Sequence, residues 1–502
     1  MPTNEYTLPQ KMSVTGRVLQ SSALLLGIQF IQRSLGIIST LILARLLAPE
    51  HFGIVALVAI GLQFFEILAD AGNQHYIIQK SDVTEADLNT AWTMDIVIKT
   101  SMAGIIFFIA PWLAAYFGAP ELTLAIRVAA LALPIRALRN PGLMLLAKQM
   151  NYRPVFMLNV WQKVVSFLVV VALALIHPSH WAIIIGNLVA ALILAWGSYR
   201  VHAHRPSLTL QHVVVQWGFS KWLILRGVVG FTRSQIDSLI ISRLFGPTQL
   251  GGYHLIRELS TLPALSIIIP GSEPLQAAIA DSKDRAQDLA YRTRLSLVLM
   301  TTILAPITAF MLVYPELIVR VLLGANWAEY GSLLRPFALF FFTFCLFALV
   351  SNACIAIGKV KMLFVFDLIS TVIIVTWLLL LSEPTLESMA WARGWLAVLT
   401  TVVLMVLLNR HTGFQLVRYT WLSMISVVAS LAGLALARLM EAFAPGMPLL
   451  QLLLLGSGFM AAYLPVLLLV ALAMRTRSEE VQHVQGQLVG LWQKLTAIKN
   501  RA

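Results

Sequence analysis

Fourteen apolar runs, each of helix length, take up most of this 502-residue chain. They fall at about 18–43, 53–79, 91–116, 121–147, 155–176 and 181–201, then at 219–245, 251–279, 291–315, 333–357, 362–382 and 386–409, and last at 418–440 and 448–473. A stretch of about 20 apolar residues, wound as a helix, crosses the ~30 Å hydrocarbon core of a bilayer. With 59% hydrophobic and 12% charged residues, the chain also has too little polar surface to cover a soluble globule of its size. The runs therefore predict an all-α polytopic membrane protein of about 14 transmembrane helices.

A second feature divides those helices into halves. The stretch Ala44 to Leu57 returns as Ser242 to Leu255, and without gaps the copies share Arg45/Arg243, Leu46/Leu244, Pro49/Pro247, Gly53/Gly251 and Leu57/Leu255. Each copy reads as the turn of a helical hairpin. A proline fits where one helix has ended and the next begins, and the glycine follows where backbones approach closely. A repeat of about 200 residues points to two homologous lobes, and six helices per lobe is an even number, so both copies enter the membrane in the same direction. The expected domains are a six-helix lobe over 1–208, a second over 209–410, two additional helices over 411–475 and a tail over 476–502. The boundary between lobes is a basic, polar connector from Arg200 to about Gly218, with His202, His204, Arg205 and Pro206.

The net charge of +13 does not collect into a patch, which argues against nucleic acid as a partner. Instead it falls in loops that alternate along the chain: Arg136, Arg139, Lys148 and Arg153, then Arg200, Arg205 and Lys221, then Lys283, Arg285, Arg292 and Arg294, then Lys359 and Lys361, then Arg410 and Arg418. The intervening loops are poor in Lys and Arg, with Arg45, Arg243, Arg320, Arg335 and Arg393 the main exceptions. The positive-inside rule puts the basic loops and both termini in the cytoplasm. No small-residue cleavage site follows the first run, so it is expected to stay as a helix.

Charges inside the membrane mark candidate sites. Arg33 lies mid-way along the first run with Gln29 and Gly36 on the same helical stripe, and Arg233 lies at similar depth in the seventh. An arginine at the bilayer centre costs at least about 2.5–3.5 kcal/mol, so each should face a partner or water. Facing a common cleft, the two guanidiniums with Arg257 behind them would suit an anion, and a diphosphate fits their geometry. Against that reading, Arg233 has Asp237 one turn on and Asp95 has Lys99 at the same spacing, so both pairs can neutralise themselves. Asp70, Asp237 and Glu273 are candidates for gating or ion coupling, with interfacial water the plainer role for Asp70 and Glu273. Pro263, Pro270 and Pro274 should bend the eighth helix.

Catalytic and metal motifs are absent: there is no G-x-x-x-x-G-K-[ST], no H-E-x-x-H and no G-x-S-x-G. Gly456-Ser457-Gly458 lies inside an apolar helix, where small residues serve packing. No enzyme activity, cofactor or metal is expected, and Cys345 and Cys354 are nine residues apart in one run, too far along a helix to bond. Val481, Val484, Leu488, Leu491, Leu495 and Ile498 make the tail an amphipathic helix capped by Ser478, resting on the membrane surface or on the loops, with a partner-binding coiled coil as the alternative.

The run Ala44-Arg45-Leu46-Leu47-Ala48-Pro49-Glu50-His51-Phe52-Gly53, followed by Asp70-Ala71-Gly72 and Ile77-Ile78-Gln79, resembles bacterial polysaccharide exporters of the O-antigen and colanic-acid flippase type, within the multidrug/oligosaccharidyl-lipid/polysaccharide exporter superfamily. The second half departs from the motif after Leu255, where the proline-rich helix replaces Asp-x-Gly. The resemblance implies two six-helix lobes that alternate access. It also implies a cargo of oligosaccharide on undecaprenyl diphosphate, moved from the cytoplasmic to the periplasmic leaflet of a bacterial inner membrane, with membrane lipids, a polysaccharide polymerase and chain-length machinery as further partners. The rivals are a multidrug exporter of the same superfamily, which would want acidic residues in its cavity, and a polytopic glycan polymerase or ligase, which would want a large periplasmic loop.

Overall fold

The computed structural model describes residues 14–474 except 71, 150 and 382–383. The helix expected in the tail over 478–502 lies outside the described residues. Among the described residues every regular element is helical, and the chain divides into two compact units, Met1–Gly251 and Gly252–Ala502.

The first unit holds α1 (Val14–Leu46), α2 (Pro49–Ala69), α3 (Asn73–Gln79), α4 (Glu85–Tyr116), α5 (Leu122–Ala130), α6 (Ala132–Ala137), α7 (Gly142–Lys148), α8 (Arg153–Ile176) and α9 (Trp181–Val201), and α10 (Val213–Pro263) runs on from it. At the hairpin, α1 stops because Ala48 is extended ahead of Pro49, which takes the first turn of α2 without needing a donor. The second copy solves the same problem inside α10, where Gly246, at φ 82°, turns the backbone just before Pro247.

α1 and α8 run side by side in the same direction. Gly27 faces Phe156, Gln32 Nε2 donates to Asn159 Oδ1 at 3.2 Å, and Gly36 faces Lys163. α8 and α9 run antiparallel, with Gly186 set against Val170, Gly197 against Leu158, and Ser166 Oγ donating to Gly186 O. The part of α10 before Gly246 lies antiparallel along α2 through Gly227 on Ile67, Phe231 on Phe64 and Gln235 on Gln63. Small residues at these contacts let helices approach where lipid supplies no hydrophobic drive.

The second unit continues through a π segment at Ala264–Ile268, then α11 (Ile269–Gly271), α12 (Glu273–Asp281), α13 (Ala286–Val313), α14 (Pro315–Leu322), a 3₁₀ stretch at Ala325–Leu333, α15 (Leu334–Ala356), α16 (Val360–Leu379), α17 (Leu386–Thr412), α18 (Leu416–Met440) and α19 (Pro448–Met474). The last two helices pack on α13: Thr301 and Tyr419 share a hydrogen bond at 2.8 Å, Ser426 Oγ donates to Thr302 Oγ1, and Tyr463 OH donates to Thr302 O. Phe459 and Tyr463 close the contact against Phe310 and Tyr314. Cys345 and Cys354 are buried free thiols on α15.

Among the described residues, eleven helices are long and apolar enough to cross a membrane. The three other expected runs are helical too, but in altered form. The run over 121–147 is not one helix but α5, α6 and α7: Pro134 removes a backbone donor, and the chain turns at Asn140-Pro141, where Asn140 Oδ1 accepts from Gly142 N. The seventh and eighth runs are joined within α10, and the prolines at 263, 270 and 274 break the eighth into a π segment and two short helices.

Candidate functional site

Arg33 stands on α1, the helix that carries Gln32 and Gly36 against α8. It is half-buried, its Nη1 is enclosed without a hydrogen-bond partner, and it makes no ion pair among the described residues. Across the seam, Lys163 Nζ lies 3.9 Å from where a Cβ on Gly36 would stand. Lys163 is also half-buried and has no ion pair or hydrogen bond among the described residues. Gly36 is one turn from Arg33, so the two cations share this stretch of seam, with no carboxylate of the described residues bonded to either. Two unneutralised cations within crossing helices are a standing cost, and an anion would relieve it.

Lys163 was not singled out from the sequence, although it interrupts an otherwise apolar run and that interruption is the signal. The other expected cations sit differently. Arg233 is half-buried, one turn before the fully buried Asp237, and neither is free of partners. Arg257 belongs to the second unit and also has partners, while its neighbour Glu258 is exposed. Glu273 is exposed at the start of α12. In the hairpins Arg45 and Arg243 are exposed, and Arg243 lies over the Tyr116 ring at 5.1 Å. Gly53 sits against Pro247 and Gly251 against Pro49.

Asp70 ends α2, where Oδ1 accepts from Gly72 N at 2.9 Å, and it borders a cavity of 520 Å³ within the first unit. The same cavity is lined by Glu66, Asp95, Lys99, Arg136 and Arg139. The expected Asp95–Lys99 pair forms at 2.8 Å, and Asn73 Nδ2 also donates to Asp95 at 2.9 Å. Glu66 pairs with Arg136, a residue the loop count had assigned to orientation alone.

At one end of this unit the polar connector is tied down. Buried Asn140 donates from Nδ2 to the carbonyls of His202 and His204 at 3.0 and 2.7 Å. The first turns of α4 hold its far end: Asn89 Nδ2 donates to Ser207 Oγ, Thr209 N to Thr93 Oγ1, and Asp87 receives His212 Nδ1 at 2.6 Å and Lys80 Nζ at 2.7 Å. The Lys80 ammonium is held above its ordinary range by that carboxylate. Burial pushes His202 and His204 below the usual imidazole value, with Arg205 adding to it.

Residues 42–332 match the family model described as polysaccharide biosynthesis protein. The chain belongs to that family. It is 28% identical over 305 residues to the succinoglycan biosynthesis transport protein ExoT of Rhizobium meliloti, covering 59% of this chain and 61% of that protein. Against the lipopolysaccharide biosynthesis protein WzxC of Escherichia coli it is 21% identical over 297 residues, 58% and 60% of the two chains. The chain thus spans about three fifths of the length of these curated relatives. Among solved structures, the lipid II flippase MurJ in an inward closed conformation superposes with a TM-score of 0.73 at 13% identity, over 91% of this chain and 99% of that one. An inward-facing multidrug resistance transporter of the MATE family gives 0.57 at 12% identity, over 80% and 99%. The chain therefore has the multi-pass helical fold of these two transport proteins.

Proposed function

We propose that this chain moves an undecaprenyl-diphosphate-linked oligosaccharide from the cytoplasmic to the periplasmic leaflet of a bacterial inner membrane, both termini facing the cytoplasm, for surface or exopolysaccharide synthesis. The observation that carries this reading is the pair of cations without carboxylate partners, Arg33 on α1 and Lys163 on α8. A diphosphate is a compact dianion that accepts guanidinium and ammonium donors together. Lowering the cost of carrying that charge through hydrocarbon is the work such a seam can do, while the lipid tail stays in the membrane. Arg233 and Arg257, Asp70, Asp237 and Glu273 remain proposed contributors to binding and coupling, and the division into lobes at 208/209 and 410/411 is proposed as the frame in which access alternates. No covalent step is needed.

Family membership and the likeness to ExoT, which is named a transport protein, support the reading. The multidrug alternative fits less well: Glu66 and Asp95 already hold Arg136 and Lys99, which leaves Asp70 as the one carboxylate of that cavity without an ion pair among the described residues, and three cations balance the three carboxylates.

The test is a lipid analysis of cells lacking the chain. Undecaprenyl-diphosphate oligosaccharide of complete repeat length should accumulate in the inner leaflet while surface polysaccharide disappears. Single units that reach the outer leaflet and stay unpolymerised would overturn the flippase reading in favour of a polymerase.

A further inference from the structure

The cavity in the first unit has a chemistry unlike that of the α1–α8 seam. Three carboxylates, Glu66, Asp70 and Asp95, stand against three cations, Lys99, Arg136 and Arg139, so its formal charge is zero. Four of the six are committed to each other, Asp95 to Lys99 and Glu66 to Arg136. A diphosphate placed here would meet three carboxylates, and an inorganic cation would have to displace internal ion pairs.

Besides Asp70 and Arg139, which form no ion pair among the described residues, what the cavity leaves uncommitted is amide. Asn73 is 3% exposed and donates from Nδ2 to Ala91 O and Asp95 Oδ1, while its Oδ1 is buried without a hydrogen-bond partner. Gln74, Gln162 and Asn187 also line the space and make no side-chain hydrogen bond among the described residues. Gln162, half-buried, and Asn187, exposed to the cavity, lie within the membrane-crossing helices α8 and α9, where hydrocarbon offers an amide no partner. An amide both donates and accepts, and so does a hydroxyl. The volume of 520 Å³ falls within the about 300–1,000 Å³ typical of small-molecule sites.

We propose that this cavity is a saccharide subsite, taking an uncharged, hydroxyl-rich part of the cargo. The inference rests on the reading of the chain as a carrier of lipid-linked oligosaccharide. Gln162 and Lys163 are consecutive on α8 and diverge by about 100° around the helix, so one turn carries a contact for the sugar on one side and for the diphosphate on the other.

The test uses the full chain in lipid nanodiscs, titrated separately with inorganic pyrophosphate and with oligosaccharide released from the producing strain's own polysaccharide. The wild type should bind both. Gln162→Leu and Asn187→Leu should weaken oligosaccharide binding about tenfold, the loss of one good hydrogen bond, and leave pyrophosphate binding unchanged. Lys163→Gln should do the reverse. Retained pyrophosphate binding reports that a variant is folded, and Gln74→Leu on the short α3 is the second cavity variant if a helix variant is lost. Oligosaccharide that fails to bind the wild type, or binds cavity variants as tightly, overturns the subsite. If pyrophosphate still binds in that case, the diphosphate reading stands; if neither probe binds, both fall.

Discussion

Gly53 and Pro247 meet backbone to backbone: a Cβ on Gly53 would fall on the Pro247 carbonyl, and in the mirrored position a Cβ on Gly251 would fall on the carbonyl of Pro49. The repeated glycine of each hairpin motif is thus fitted to the repeated proline of the other. Neither neighbour can give way as a flexible side chain would, because both are main chain. Gly53→Ala and Gly251→Ala should each lower the thermal unfolding midpoint of the purified protein and its abundance in the membrane. Gly104→Ala is the control, since nothing lies within 4 Å of its Cβ position, and a helical alanine there should be neutral or stabilising by up to about 1 kcal/mol. Unchanged midpoints for both hairpin variants would show that the close approach is not maintained in the membrane.

Arg33→Ala and Lys163→Gln should each cut surface polysaccharide about tenfold or more at normal protein level, the cost of losing one charge-assisted contact. Lys163→Arg, which keeps the charge, should retain more export than Lys163→Gln. A fully active, normally expressed Lys163→Gln variant would remove that residue from the mechanism.

The Asn140 side chain makes three hydrogen bonds from a buried position, two to the connector carbonyls and one from Gly142 N. Arg205 Nη1 donates to the same two carbonyls at 3.2 and 3.1 Å, so they keep a partner when the amide is removed. The expected cost of Asn140→Ala is therefore about 1–2 kcal/mol and not the sum of three bonds. Hydrogen exchange over residues 202–212 should speed up in this variant, and an unchanged rate would show that the connector is held by α4 alone.

The connector should also respond to acid. Burial lowers the folded-state pKa of His202 and His204, so the unfolded chain binds protons first as pH falls. Their contribution to stability is complete above about pH 6.5 and is lost as pH drops toward their lower folded values. His202 Nδ1 accepts from His204 N at 3.1 Å, and protonation removes that acceptor. The thermal midpoint should fall between neutral and mildly acidic pH, and His202→Asn, which keeps an acceptor but cannot titrate, should flatten the fall. A wild-type midpoint that does not move with pH would contradict this account.

Charge position was legible along the chain; charge company was not. The Asp95–Lys99 pair follows from helical spacing alone, since residues four apart share a face. Glu66 and Arg136 are 70 residues apart, and nothing in either segment announces the other. Arg136 therefore read as loop charge, and Lys163 and Asn187 drew no reading, because a run's mean hydropathy hides a single polar residue within it. The broken fourth helix shows the same limit: Pro134 and Asn140-Pro141 were visible, but whether a proline kinks or ends a helix depends on what satisfies the freed groups.

By itself the sequence determined the helical, membrane-crossing character of this protein and the repeated hairpin, because hydrocarbon forces the backbone to bond internally and proline fixes where a helix restarts. Tertiary structure decided which polar groups stand together: Lys163 beside Gly36 on the same seam as Arg33, four amides around one cavity, and each hairpin glycine against the other hairpin's proline. Those meetings depend on how α1, α2, α8, α9 and α10 lie against one another. Helix packing is set by surface shape summed over many small contacts, which no single stretch of sequence carries.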